Sequence, residues 1–318
     1  MDLTLRPMST SQVLDRTFQL YRGNFWLFAG IAALPPALIL IAQLLATGAG
    51  LILARTFELM TSIVALALGV VVFVVLYLIG SALATGATVH AVSRLHLASP
   101  VNISESYKAV GPLLGRILGI TILISLMAGG AFLLGYLILF VPTFLIGILA
   151  RGGARSAAPF LIFATGFIGF AAIVAAGVWA LRIYCRYSLA VPACVVERLP
   201  VIGSLHRSKF LTSQALFRIF LIYLLLVILS LALGAALSVP NYIEMAVNQG
   251  KETLPFQIWG FFASFLAGTL AGPIGTIAIC LVYYDHRVRK EAFDLQLMME
   301  AIGQPAAPQA AGAAPGIG

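Results

Sequence analysis

The 318 residues predict an all-α polytopic bundle of six transmembrane helices. Three observations lead there. Only 19 Lys and Arg and 11 Asp and Glu stand against 61% hydrophobic residues, far below the roughly 25% charged residues of an ordinary soluble domain. The charges are also clustered: six stretches of at least 25 residues (Gly23 to Ala54, Leu59 to Ser93, Ile117 to Ala150, Ser156 to Leu181, Ile219 to Ile243, Thr253 to Tyr284) carry none. About 20 apolar residues suffice to cross a 30 Å hydrocarbon layer. Finally, runs such as Leu224 to Leu229 lack the alternating polar face of a barrel strand, so helices must satisfy the backbone within lipid.

Spans are expected at about 25–46, 62–84, 117–140, 159–181, 219–237 and 258–283, in a single membrane domain over residues 1–302. Pro35-Pro36 and Gly272-Pro273 fall inside spans and are expected to kink them. The third apolar stretch runs on through Pro142, so Val141 to Ala150 is either a kinked extension or a re-entrant piece. The Leu-rich fifth span reads as lipid-facing. Between these spans the basic residues divide unevenly: fifteen lie in the N-terminus, the second and fourth loops and the C-terminus, against Arg55, Arg151, Arg155 and Lys251 on the other side. By the positive-inside rule both ends are cytoplasmic, in a bacterial inner membrane. Trp26, Trp179 and Trp259 sit at span ends, as interfacial aromatics do. The first residues are polar and charged, which is not the pattern of a signal peptide.

Each odd-numbered span is preceded by a short segment with helix-start chemistry. Ser9-Thr10-Ser11-Gln12 is a capping box opening a helix with Val13, Leu14, Phe18 and Tyr21 on one face. Asn102 to Glu105 and Val201 to Leu211 begin two more such segments, each expected to lie in the interface. Arg22, Arg116 and Arg218 recur at intervals of 94 and 102 residues, as three copies of a ramp and a hairpin would place them. After the last span, Asp285 to Met299 reads as a separate short helix with Arg287/Glu291 and Lys290/Asp294 pairs at i, i+4. Residues 303–318 read as a disordered Ala, Pro and Gly tail.

Two groups of residues are candidate sites. Arg182, Arg186, Arg207, Lys209 and Arg218 surround the fourth loop, where they would contact lipid headgroups or a protein partner, or simply express topology. Ser264, Gly268, Gly272 and Thr276 form a small-residue stripe for close helix packing inside the bundle, with a homodimer seam as the other reading. The excess of positive charge suits anionic lipid better than nucleic acid. Cys185, Cys194 and Cys280 have no zinc or disulfide spacing and read as reduced thiols. His90, His96, His206 and His286 all fall on the arginine-rich side, where Glu105, Glu197 and Asp285 could join them around a metal, but no pair has ligand spacing within a helix. No cofactor or metal is therefore expected.

The segments Leu5 to Phe25, Arg186 to Glu197, Ser204 to Phe220 and Tyr283 to Leu297 resemble the bacterial glycerophosphoryl diester phosphodiesterase membrane-domain family and related uncharacterised YciC-like multi-pass proteins. The resemblance covers the chain except its tail. It implies a membrane part and no activity, because the phosphodiesterase needs a Glu-x-Asp metal pair that is missing beside His206-Arg207 and His286-Arg287.

No span centre holds a charge of the kind that marks ion-coupled transport. The polar residues inside spans (Gln43, Ser81, Thr85, Thr121, Ser125, Thr165, Ser230, Ser264, Thr276) are of the type that bonds to a preceding carbonyl. No nucleotide-binding, zinc-protease or nucleophile-elbow motif occurs. The expected function is that of a non-enzymatic membrane scaffold or accessory domain with a basic cytoplasmic face. The alternative is a transporter or lipid-handling permease with a midplane cavity, and a third reading is an interfacial metalloenzyme.

Overall fold

The structure, a computed structural model, describes residues 9–56, 59–96, 99–151, 158–213, 215–248 and 253–303. All regular structure among them is helical. Helix α1 (Thr10–Gly23) opens on the capping box: Ser9 Oγ accepts from Gln12 N at 3.3 Å while Gln12 Oε1 accepts from Ser9 N at 2.8 Å. The buried face of α1 is centred on Val13 and Thr17, and Phe18 is exposed, a rotation from the face read off hydrophobicity. Thr17 can be buried because its hydroxyl donates to the Val13 carbonyl at 2.7 Å.

Helices α2 (Phe25–Ala32) and α3 (Leu34–Thr56) meet at a 44° bend. Pro35 and Pro36 cause it, since neither can donate to the carbonyl four residues earlier, and those of Ile31 and Ala32 lose their helical partners. The Tyr107 hydroxyl, from α5 (Ile103–Val110), donates to the Ile31 oxygen at 2.6 Å. A similar bond runs from Tyr21 to the Leu270 oxygen at 3.0 Å, three residues before Pro273. One ramp segment thus caps a carbonyl that a proline leaves without its helical partner, and another bonds to α12 one turn before Pro273. Tyr107→Phe is expected to destabilise the protein by about 1–3 kcal/mol, the cost of an orphaned buried carbonyl, measured by thermal unfolding in detergent. Tyr242→Phe, at an exposed side chain, is the neutral control.

The remaining elements among the described residues are α4 (Leu59–His96), α6 (Leu114–Arg151), α7 (Ala158–Tyr187), α8 (Ala190–Glu197), α9 (Val201–Thr212), α10 (Leu216–Leu237), α11 (Val239–Val247) and α12 (Leu254–Gly303), with a 3-10 turn, Gly111–Leu113, between α5 and α6. Helices α4, α6, α7, α10 and α12 are each long and apolar enough to cross a membrane, and the bent α2–α3 pair brings the number to six if it is one span. Residues 141–150 continue α6 as helix past Pro142. Residues 285–299 are not a separate helix, because α12 runs unbroken to Gly303. Residues 304–318, most of the expected tail, lie outside the described residues.

Helix α12 is central, packed against α1, α2, α3, α4 and α10. Its buried residues Ile277, Cys280, Leu281 and Tyr283 join Phe28, Ile31, Val89, Leu189 and Ile219 in one core at the arginine-bearing end of the bundle. Helices α6 and α7 instead pack chiefly on each other. Their axes approach closely because glycines leave room: a Cβ on Gly169 would stand 2.6 Å from Leu139 Cα, and one on Gly135 would stand 3.3 Å from Ile173 Cα. At the far end of this pair Phe144, Phe160, Phe163 and Phe167 are exposed, as residues facing acyl chains would be.

Candidate functional site

Where α6 and α7 lean on the rest of the bundle, they leave a cavity of about 310 Å³. Each wall is one face of a helix. Thr85 and Val89 come from α4, Thr121 and Ser125 from α6, and Gly272 and Thr276 from α12, all pairs at i, i+4 spacing. Tyr184 and Tyr187 of α7, Tyr223 of α10 and the start of α8 complete it. These residues occupy the halves of the helices nearest the loop arginines, from Tyr187 at the edge to Gly272 near the centre of its span. Among the described residues the lining contains no Asp, Glu, Lys, Arg or His. Tyr184 is 49% exposed, so the cavity opens to the outside of the bundle beside α7.

Hydrogen bonding divides the polar residues of the long helices, and outside this cavity Gln43 Oε1 and Thr269 Oγ1 are buried without a partner. Thr47, Ser81, Thr88, Thr121, Thr143, Thr165, Ser230 and Ser264 donate to a carbonyl three or four residues earlier. That satisfies the hydroxyl internally. Thr85, Ser125 and Thr276 do not, and among the described residues their hydroxyls have no protein partner. Three unused donors from three helices converge on one cavity. Thr85 and Thr276 are half-buried and Ser125 is exposed, so each hydroxyl is open to a partner entering this space. By contrast a second hollow, at the α2–α3 bend, has Tyr107 as its polar lining group, and that hydroxyl already serves Ile31.

Beside the cavity, α8 and α9 are clamped to α12 by charge. Arg207 donates through Nε to Glu197 Oε1 at 3.1 Å and through Nη2 to Glu291, while Arg287 Nε reaches Glu291 Oε2 at 2.7 Å and the Tyr283 hydroxyl donates to Glu197 at 2.5 Å. Burial lowers the Arg207 pKa, but its bonds to Glu291 and Glu197 outweigh this and hold it above the usual value. A second centre is the fully buried Asp285 carboxylate, which takes Arg218 Nη1 at 2.6 Å and Arg289 Nε at 3.0 Å. Lys290, expected to pair with Asp294, turns to the Phe210 carbonyl and Ser213 Oγ; the Asp294 side chain lies outside the described residues.

The five candidate headgroup cations therefore separate. Arg207 and Arg218 are held by acids within the fold, Arg182 and Lys209 are exposed, and Arg186 is partly covered, its carbonyl receiving the Ser208 and Thr212 hydroxyls at 2.9 and 3.0 Å. The small-residue stripe divides likewise. A Cβ on Gly268 would stand 2.8 Å from Pro36 of α3, a packing contact, while Gly272 and Thr276 line the cavity and Ser264 is exposed. The histidines do not gather: His96 stacks on Tyr284 with ring centroids 4.9 Å apart, His286 is buried and His206 is exposed. Among the described residues no three of His, Cys, Asp and Glu come together, which removes the convergence that the metalloenzyme reading called for. Sequence reasoning missed the tyrosines and α8. The signal available was the run Arg186 to Glu197, whose Pro192 tolerates only the first turn of a helix.

Comparison with protein-family models, curated proteins and solved structures returns no match for this chain.

Proposed function

We propose that this is a six-span inner-membrane protein, three hairpins with both ends in the cytoplasm, that binds a membrane amphiphile in the cavity between the α6–α7 pair and α12. The carrying observation is the convergence of partnerless hydroxyls from Thr85, Ser125 and Thr276 on a space open beside Tyr184. Its volume, about 310 Å³, is at the lower end of ligand pockets and suits a lipid head with the first part of its chains. Handling a lipid rather than a driven solute is supported by the lack of any charged lining group.

The test is site-resolved labelling. Full-length protein in nanodiscs containing a phospholipid with a photoreactive acyl chain should be labelled at residues 85–89, 121–125 and 272–279. Gly272→Leu, at a position where a Cβ meets nothing within 4 Å, should fill the space and abolish that labelling. Labelling confined to outward residues such as Phe163 and Phe167 would refute the reading.

The scaffold reading is supported by the exposure of Arg182 and Lys209, since a cation near an anionic lipid surface is worth about 1 kcal/mol.

A further inference from the structure

We infer that the amphiphile bound in this cavity has an uncharged, hydroxyl-bearing head, of the diacylglycerol class, and that lipids with an ionised phosphate head are rejected from it. This rests on the cavity reading proposed above and adds the chemistry of the ligand.

A phosphate carried into a space without a cation would lose its hydration with no compensating charge, which is far more costly than moving a neutral hydroxyl. The nearby cations do not relieve this. Arg207 of α9 and Arg218 of α10 are bound to Glu197, Glu291 and the buried Asp285, and Arg182 and Arg186, which flank Tyr184 and Tyr187 in α7, are outside the lining. The cavity offers instead hydroxyls that can both donate and accept: Thr85, Ser125 and Thr276, with Tyr187 and Tyr223 beside them. Thr121 and Ser188 spend their donors on the Ile117 and Cys185 carbonyls at 2.9 and 3.0 Å and keep only acceptor capacity toward the space. A site with both functions and no net charge matches a group that also both donates and accepts, such as an alcohol beside ester carbonyls. A water-borne polyol shares that head chemistry. The apolar remainder of the lining (Val89, Ile124, Val191, Ile279) and the opening beside Tyr184 commit the source to a lipid with chains.

The experiment compares two probes with identical acyl chains, a fluorescent dioleoyl diacylglycerol and the corresponding phosphatidic acid, on the full-length chain in detergent micelles. Diacylglycerol is expected to bind at least about tenfold more tightly, a difference of about 1.4 kcal/mol or more. Ser125→Ala and Thr276→Val are each expected to weaken diacylglycerol several-fold and leave the unfolding temperature unchanged, since neither hydroxyl holds the fold. Equal or tighter binding of phosphatidic acid, still abolished by Gly272→Leu, would overturn the head-group inference and leave the cavity reading standing. Binding of neither probe, or binding of both that Gly272→Leu does not affect, would sink the cavity reading itself. Displacement of diacylglycerol by free glycerol at equal concentration would overturn the lipid source in favour of a soluble polyol.

Discussion

Replacing Gly169 by Ala is expected to destabilise the protein by about 3 kcal/mol, at the upper end of the cost of overpacking. The added Cβ would stand 2.6 Å from the Leu139 Cα. Backbone cannot rotate away as a side chain can, so the α6 and α7 axes must move apart along their whole contact. A control lies one turn earlier. A Cβ on Gly166 meets nothing within 4 Å, and Gly166→Ala should be neutral or stabilising by up to about 1 kcal/mol, the gain in helix propensity. Thermal unfolding of the two variants in the same detergent separates close approach from general intolerance of change in α7. If both behaved alike, close packing of the pair through Gly169 would be wrong. Because α6 and α7 carry Ser125 and Tyr184, Gly169→Ala should also weaken retention of the bound amphiphile.

The second large effect is at Asp285. Its side chain is fully buried and receives Arg218 and Arg289. Asp285→Ala is expected to cost about 3–5 kcal/mol, because it removes the carboxylate that both guanidinium groups share while the Arg218 charge stays largely covered. Glu291→Ala should cost about 1 kcal/mol or less, since that carboxylate is 40% exposed and water replaces its bonds. The paired change Asp285→Leu with Arg218→Met should recover much of the loss, as apolar replacements of buried ion pairs do. Equal unfolding temperatures for Asp285→Ala and Glu291→Ala would refute the ranking.

How much of this was legible in the sequence follows from what each signal measures. Runs without charge located the long helices because the bilayer imposes a length and an absence of charge that no local preference overrides. The bend at Pro35-Pro36 was legible because a missing N–H is a property of the residue. The capping box at Ser9 was legible because its partners are three residues apart. The extension of α12 past Tyr283 was not: charge appears at Asp285, and a change of solvent reads like the end of a helix although the backbone continues. Nor was the fate of the arginines legible, since Arg207 and Arg218 meet Glu291 and Asp285 across 84 and 67 residues. The cavity was half legible. Thr85, Ser125 and Thr276 stood out as polar groups in spans, but only the fold distinguishes a hydroxyl that bonds its own helix from one that faces a void.

One consequence concerns α12. At about 1.5 Å per residue its 50 residues make a rod of roughly 75 Å, more than twice the hydrocarbon thickness. It carries Gly272 and Thr276 in its middle and Asp285 and Glu291 farther along. A piston stroke of one turn would drag the floor from under the guest and shear the arginine clamps in the same motion. Guest and clamps therefore act on neighbouring stretches of a single shaft, and loss of the buried Asp285 clamp should loosen the hold on whatever lies between the helices.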